Sequence, residues 1–181
     1  MHPDVKKILV SEEEIQKKCT QLGQEITEAY RNYPQPPLLV ALLKGSVPFL
    51  ACLISRIELD IEYDFMDVSS YNGTESMGDV RILKDLGQSI KGRDILLVED
   101  IVDTGRTIVE VGKMLKNKGA NEIKVVTLLD KPSRRVVDAK ADFVGFEIPN
   151  EFVIGFGLDY NEKYRNLNYV GVLKEEVFQG E

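Results

Sequence analysis

The chain has 181 residues, a net charge of -7, and 43% hydrophobic against 29% charged residues. That length fits one domain that folds without disulfides or a structural metal, and the composition excludes global disorder. The acidic balance argues against a nucleic-acid binder held by a basic surface, while leaving room for a local site that takes a small phosphorylated ligand.

Cys19 and Cys52 stand at no motif spacing, which suggests a reducing compartment and a cytoplasmic location. His2 is the only histidine, so a Ser-His-Asp triad and a His-rich zinc site are excluded. The opening MHPDVKKILV has no long apolar run and no cleavage pattern, so no signal peptide is expected. No stretch approaches the roughly 20 apolar residues of a membrane span, and no membrane partner is expected.

In chain order, Ser11-Glu12-Glu13-Glu14 reads as a capping box with Ser11 at the N-cap. Ile15, Cys19, Leu22, Ile26 and Tyr30 follow at helical spacing and predict a helix over 11–32, ending before Pro34, Pro36 and Pro37. Residues 38–43 (LLVALL) form a continuously apolar run, the pattern of a strand buried on both faces. Lys44-Gly45-Ser46 breaks it, and a helix over 47–57 follows with Pro48 in its first turn. A strand is predicted over 59–68. Residues 69–79 (SSYNGTESMGD) have no periodicity and predict a loop long enough to be a functional lid or a disordered segment. Short strands are then expected over 80–83 and 94–98. A helix with Ile108, Val111 and Leu115 on one face runs to a C-terminal Gly119. Strands over 123–129, 143–148, 153–157 and 169–173 complete the pattern. Strand-helix alternation of this kind indicates an α/β fold with a mainly parallel twisted sheet flanked by helices.

The richest chemistry lies in 99–107 (EDIVDTGRT). Glu99 and Asp100 end a buried strand, Asp103 follows, and Thr104, Gly105, Arg106 and Thr107 lead into a helix. Ligands of open parallel sheets bind just outside the carboxyl ends of the strands. A helix N-terminus behind a glycine-containing turn offers backbone N–H groups and a positive dipole end, a combination suited to phosphate. The threonine hydroxyls add donors, and Glu99 and Asp100 can reach ligand hydroxyls or a hydrated Mg²⁺. The plainer reading is a helix capped by Asp103 or Thr104. It explains one polar residue, not three neighbouring acids whose repulsion needs compensation. A Walker loop is absent: GQSIKGRD at 87–94 has Arg93 where lysine is required and precedes a strand.

VEDIVDTGRT at 98–107 closely resembles the phosphoribosyl-diphosphate (PRPP) signature of type I phosphoribosyltransferases. LLKGS at 42–46, SSY at 69–71, DKP at 130–132 and FVIGFGLDYNEKYRNL at 152–167 resemble the hypoxanthine-guanine branch of that family, in order and over nearly the whole chain. The resemblance implies one domain over 1–181, with a parallel-sheet core and a small hood built from terminal segments. It implies purine salvage: a 5-phosphoribosyl group passes from PRPP to N9 of hypoxanthine or guanine, giving IMP or GMP and pyrophosphate with Mg²⁺. It also implies a homodimer or homotetramer; that no nucleic acid is a partner follows from the net charge of -7.

For individual residues, the resemblance implies that Asp103, Thr104, Gly105, Arg106 and Thr107 hold the 5′-phosphate, although many relatives carry lysine at 106. Glu99 and Asp100 would orient the ribose hydroxyls near Mg²⁺, and Asp103 would also act as general base toward purine N7. Leu43, Lys44 and Gly45 would form the pyrophosphate loop, with a cis first peptide bond. Lys131 would donate to the 6-oxo group. Phe152 would stack on the base opposite Ile101, with the Val153 backbone at the base edge. Asp159 would bind a second Mg²⁺, Arg165 would clamp pyrophosphate, and Ser69, Ser70 and Tyr71 would open a lid. Taken singly, Lys44 and Lys131 also read as solvated lysines, Phe152 as core, and Asp159-Tyr160-Asn161 as a polar turn. Xanthine-guanine or adenine preference stays open as an alternative, as does a non-catalytic PRPP-sensing regulator of the same fold.

Overall fold

The computed structural model describes residues 1–70 and 80–179. Its elements run β1 (Val5–Val10), α1 (Glu12–Tyr30), β2 (Leu38–Leu42), α2 (Val47–Ile54), β3 (Glu62–Ser70), β4 (Val80–Lys84) and β5 (Ile95–Val102). They continue with α3 (Arg106–Asn117), β6 (Ile123–Asp130), a short 3₁₀ turn (Pro132–Arg134), β7 (Phe143–Glu147), β8 (Val153–Ile154), β9 (Val170–Leu173) and α4 (Glu175–Phe178). Six strands form one sheet in the order β4-β3-β2-β5-β6-β7, and β1-β9-β8 form a second. Within the large sheet only β4 runs antiparallel, against β3. The expected α/β class with a mainly parallel sheet is what the chain adopts.

The central strands explain their own apolar runs. Leu39 and Ala41 of β2 face the layer of α1 and α2, while Leu38, Val40 and Leu42 face the layer of α3. Leu96 and Val98 of β5 divide from Ile95 and Leu97 in the same way. A strand covered on both faces has no polar side to alternate with. Truncating one such leucine to alanine typically costs about 2–5 kcal/mol. On α1, the Glu14 N–H donates to Ser11 Oγ (3.3 Å) and the Ser11 N–H to the Glu14 carboxylate (2.8 Å), closing the expected capping box.

Several boundaries differ from the sequence expectation: α2 stops at Ile54, short of 57, and β3 starts only at Glu62. β1 carries no readable pattern because only Val5 and Val10 of its six residues are buried, and β9, buried throughout, supplies its register. The strand expected over 153–157 shrinks to two residues, since Gly155, Phe156 and Gly157 take φ of 93°, 48° and 100°. β3 extends to Ser70, so Ser69 and Ser70 are strand, not loop. Tyr71 and the rest of the expected lid lie outside the described residues. β5 continues through Glu99 and Asp100 to Val102, which places both acids inside the strand.

From β2 the chain crosses to β3 on one side, and from β5 it crosses to β6 on the other. The crevice at the carboxyl ends of these two neighbours is the switch point where open α/β sheets bind ligands.

Candidate active site

The turn after β2 and the end of β5 meet at that crevice. The Leu43–Lys44 peptide bond is cis, as the resemblance implied. Gly45 lies so close to Asp100 that a Cβ would collide with the carboxylate, and a Cβ at Gly157 would collide with the Gly45 carbonyl. Only glycine lets these three segments close on one another. Glu99 is 6% exposed; burial raises its pKa well above the ordinary carboxylate value, and the Asp100 charge adds to this. Asp100 is pushed up to about 6 by burial; the Ile101 N–H, donating to its Oδ1 at 2.8 Å, and nearby Arg165 act the other way.

Beyond β5, Gly105 is the N-cap of α3 with φ of 84°, and it has no side chain to cap the helix. The plain reading of Asp103 or Thr104 as the helix cap is therefore corrected: the Arg106 N–H makes only a long 3.4 Å contact to Thr104 Oγ1. A cleft of about 260 Å³ is lined by Glu99, Asp100, Asp103, Thr104, Gly105 and Thr107, with Ile101, Val102 and Ile108. Arg106 is exposed and does not line it.

A second cleft, of about 440 Å³, adjoins the first and shares Ile101 and Asp103 with it. Lys131, Phe152 and Val153 line this one, together with Arg134, Glu151 and Phe178 among others. Lys131 is no surface lysine: it is 6% exposed, and its Nζ donates to the Glu151 carbonyl at 2.7 Å. Burial lowers its pKa, and Asp103 opposes that shift. Phe152 is no core residue either. It is 41% exposed, stacks on Phe178 (centroids 5.1 Å apart, planes at 20°) and meets the Tyr160 ring edge-on at 5.7 Å.

Asp159 and Arg165 sit on the turn-rich segment after β8. Arg165 Nη1 reaches Asp159 Oδ1 (3.1 Å) and donates to the Gly157 carbonyl (2.8 Å), while Nη2 pairs with Glu162 (3.0 Å). Lys44 Nζ pairs with the other oxygen of Glu162 at 2.8 Å. The structure thus brings Lys44, Gly45, Asp100, Asp159 and Arg165 together. Ser69 and Ser70 end the neighbouring strand β3.

Sequence reasoning passed over three residues here. Arg134 pairs with Asp103 through Nε at 3.1 Å. Glu162 bridges Lys44 and Arg165, and Phe178 backs Phe152. The Arg134-Arg135 doublet so close to Lys131 was an available signal. Phe178 carries none, and Glu162 shows only its i,i+3 neighbour Arg165; Lys44 and Phe152 reach these two from distant sequence.

The phosphoribosyl transferase domain model matches residues 7–161. The chain is 54% identical over 180 residues to a hypoxanthine-guanine phosphoribosyltransferase of Bacillus subtilis, covering 99% of both chains. It is 52% identical to a bifunctional TilS/HprT protein of Listeria monocytogenes; 98% of this chain is matched, spanning 27% of that longer protein. Among solved structures, a hypoxanthine phosphoribosyltransferase of Staphylococcus aureus superposes with a TM-score of 0.93 at 50% identity, over 98% of this chain and 96% of that one.

Proposed function

The chain belongs to the phosphoribosyl transferase family, and from that membership we propose purine salvage: transfer of the 5-phosphoribosyl group of PRPP to N9 of hypoxanthine or guanine, giving IMP or GMP and pyrophosphate. The observation that carries the reading is the meeting of two unlike clefts at Asp103. One is a backbone-rich turn at a helix N-terminus, and the other is walled by an aromatic ring and a buried ammonium.

In this reading the turn over 103–107 takes the 5′-phosphate, and Glu99 and Asp100 take the ribose hydroxyls. Phe152 and Ile101 hold the base in the larger cleft. The Glu151 carbonyl uses one donor of the Lys131 ammonium and leaves two for the purine 6-oxo group. Adenine presents an amino donor at that point, so one buried donor would be left unsatisfied. As the C1′–N9 bond forms and the bond from C1′ to pyrophosphate breaks, Asp103 accepts the purine N7 proton. Such a positioned base is typically worth about 10²–10⁴ in rate. Lys44 and Arg165 receive the departing pyrophosphate.

Two neighbouring carboxylates with raised pKa values, buried Glu99 and partly buried Asp100, have the chemistry of a site for a hard cation. Among the described residues no group of three or more His, Cys, Asp or Glu is arranged to hold a metal. This fits a Mg²⁺ held largely by substrate oxygens and water, with Glu99, Asp100 and Asp159 nearby. When bound, that ion would neutralise charge on PRPP and on the leaving pyrophosphate.

Steady-state kinetics with PRPP and Mg²⁺ across hypoxanthine, guanine, xanthine and adenine test the proposal. Turnover of the first two with little of adenine is expected. Preferred use of adenine or xanthine would replace the base assignment, and PRPP binding without turnover on any base would replace catalysis with sensing.

A further inference from the structure

We infer that Arg135 is the positioning residue that aims the backbone of the 103–105 turn at the 5′-phosphate; the inference rests on the reading above. Arg135 follows the 3₁₀ turn Pro132–Arg134, and its side chain is 17% exposed. Its Nη1 donates to the carbonyls of Val102 (3.0 Å) and Asp103 (2.7 Å). Its Nε donates to the Ala139 carbonyl (2.8 Å), and its Nη2 is paired with the Asp130 carboxylate. The next residue extends the pattern: the Val136 N–H donates to the Thr104 carbonyl at 3.1 Å.

Three consecutive carbonyls, those of Val102, Asp103 and Thr104, are therefore held by one short segment. In a planar trans peptide the N–H points opposite to the C=O. Fixing these three carbonyls fixes the N–H groups of Asp103, Thr104 and Gly105 on the other side of the chain. Successive N–H groups on one side make an anion-binding concavity, and residues 103–105 line the smaller cleft. A second observation supports the same arrangement. A Cβ at Gly105 would lie 2.6 Å from Ala139 Cβ and 3.1 Å from Arg135 Cδ, so the 135–139 segment is packed directly beneath the turn.

Planarity gives the guanidinium its use here. Its fork reaches two turn carbonyls, the Ala139 carbonyl and a carboxylate at once, which an ammonium cannot do. Arg135 lines neither of the two clefts assigned to substrate. It acts through the turn and touches no reacting atom.

The test compares wild type with Arg135→Lys, Arg135→Gln, Arg135→Ala and Asp130→Asn in the full chain. It measures KM for PRPP, KM for hypoxanthine, and the affinity for ribose 5-phosphate, a probe of the phosphate site that needs no base. A roughly tenfold or larger rise in KM for PRPP is expected for Arg135→Gln, with a matching loss of ribose 5-phosphate affinity. KM for hypoxanthine should stay within about twofold, with Arg135→Lys intermediate and Asp130→Asn mildest. Arg135 also borders an outer cleft of about 390 Å³, so millimolar guanidinium should partly restore PRPP binding in Arg135→Ala. Wild-type constants in Arg135→Gln, or equal losses for both substrates, would overturn the positioning role. Absence of transfer in the wild type would sink the functional reading instead, while ribose 5-phosphate affinity would still decide the role of Arg135.

Discussion

Two groups of carboxylates face the same crevice in opposite electrostatic states. Glu99, buried, and Asp100, partly buried, lie in the C-terminal half of β5 with raised pKa values, and no ion pair reaches them among the described residues. Asp159 and Glu162, on the segment after β8, are already answered by Arg165 and Lys44. The first pair is an unbalanced charge that a substrate or cation must complete. The second is a balanced one that an arriving anion must reopen. Asp103, paired with Arg134, stands apart from both groups at the junction of the two clefts.

The contrast can be broken at several points. The largest effect is expected at the junction: Asp103→Asn keeps the shape and removes the base, so kcat should fall by about 10²–10⁴ with PRPP binding mostly retained. Undiminished turnover would remove Asp103 from proton transfer. Lys131→Gln exchanges a pure donor for an amide that can also accept. The ratio of hypoxanthine to adenine kcat/KM should drop by about tenfold or more, and an unchanged ratio would show that another group reads the 6-position.

Asp100 offers a stability test. Its folded-state pKa lies above the ordinary 3.8, at about 6, so between these values the folded protein keeps a proton that the unfolded chain releases. The contribution of Asp100 to the stability of the unliganded protein is therefore largest below pH 4, declines as pH rises from 4 to 6, and is gone above. One such group accounts for at most about 3 kcal/mol of that decline. Asp100→Asn should lift stability at pH 8 by roughly 1–3 kcal/mol in denaturant melts while impairing turnover. A variant less stable than wild type at pH 8 would show that the carboxylate is compensated.

The balanced region should respond least. Glu162→Gln removes an exposed anion from between Lys44 and Arg165, and exposed pairs are individually weak. KM for PRPP and the inhibition constant of pyrophosphate should both fall, by about two- to fivefold. A rise in either would mean that Glu162 arranges the two cations for the ligand and does not compete with it.

Periodic and short-range information was enough for the capping box at Ser11, the doubly buried runs of β2 and β5, the helix at 106–117 and the acidic turn at 99–107. Each depends on neighbours within about four residues, so its pattern is written along the chain. The resemblance, and not periodicity, reached Lys131, Phe152 and Arg165. Solvated lysine and core phenylalanine were the plainer readings of the first two, because burial is a property of the surroundings and not of the residue type. Tertiary structure alone decided that Val5–Val10 pairs with β9, that Phe178 stacks on Phe152, that Lys44 meets Glu162, and that Arg135 reaches back over 30 residues to the carbonyls of Val102 and Asp103. Those contacts join segments far apart in sequence, and a contact between distant segments leaves no period in either one.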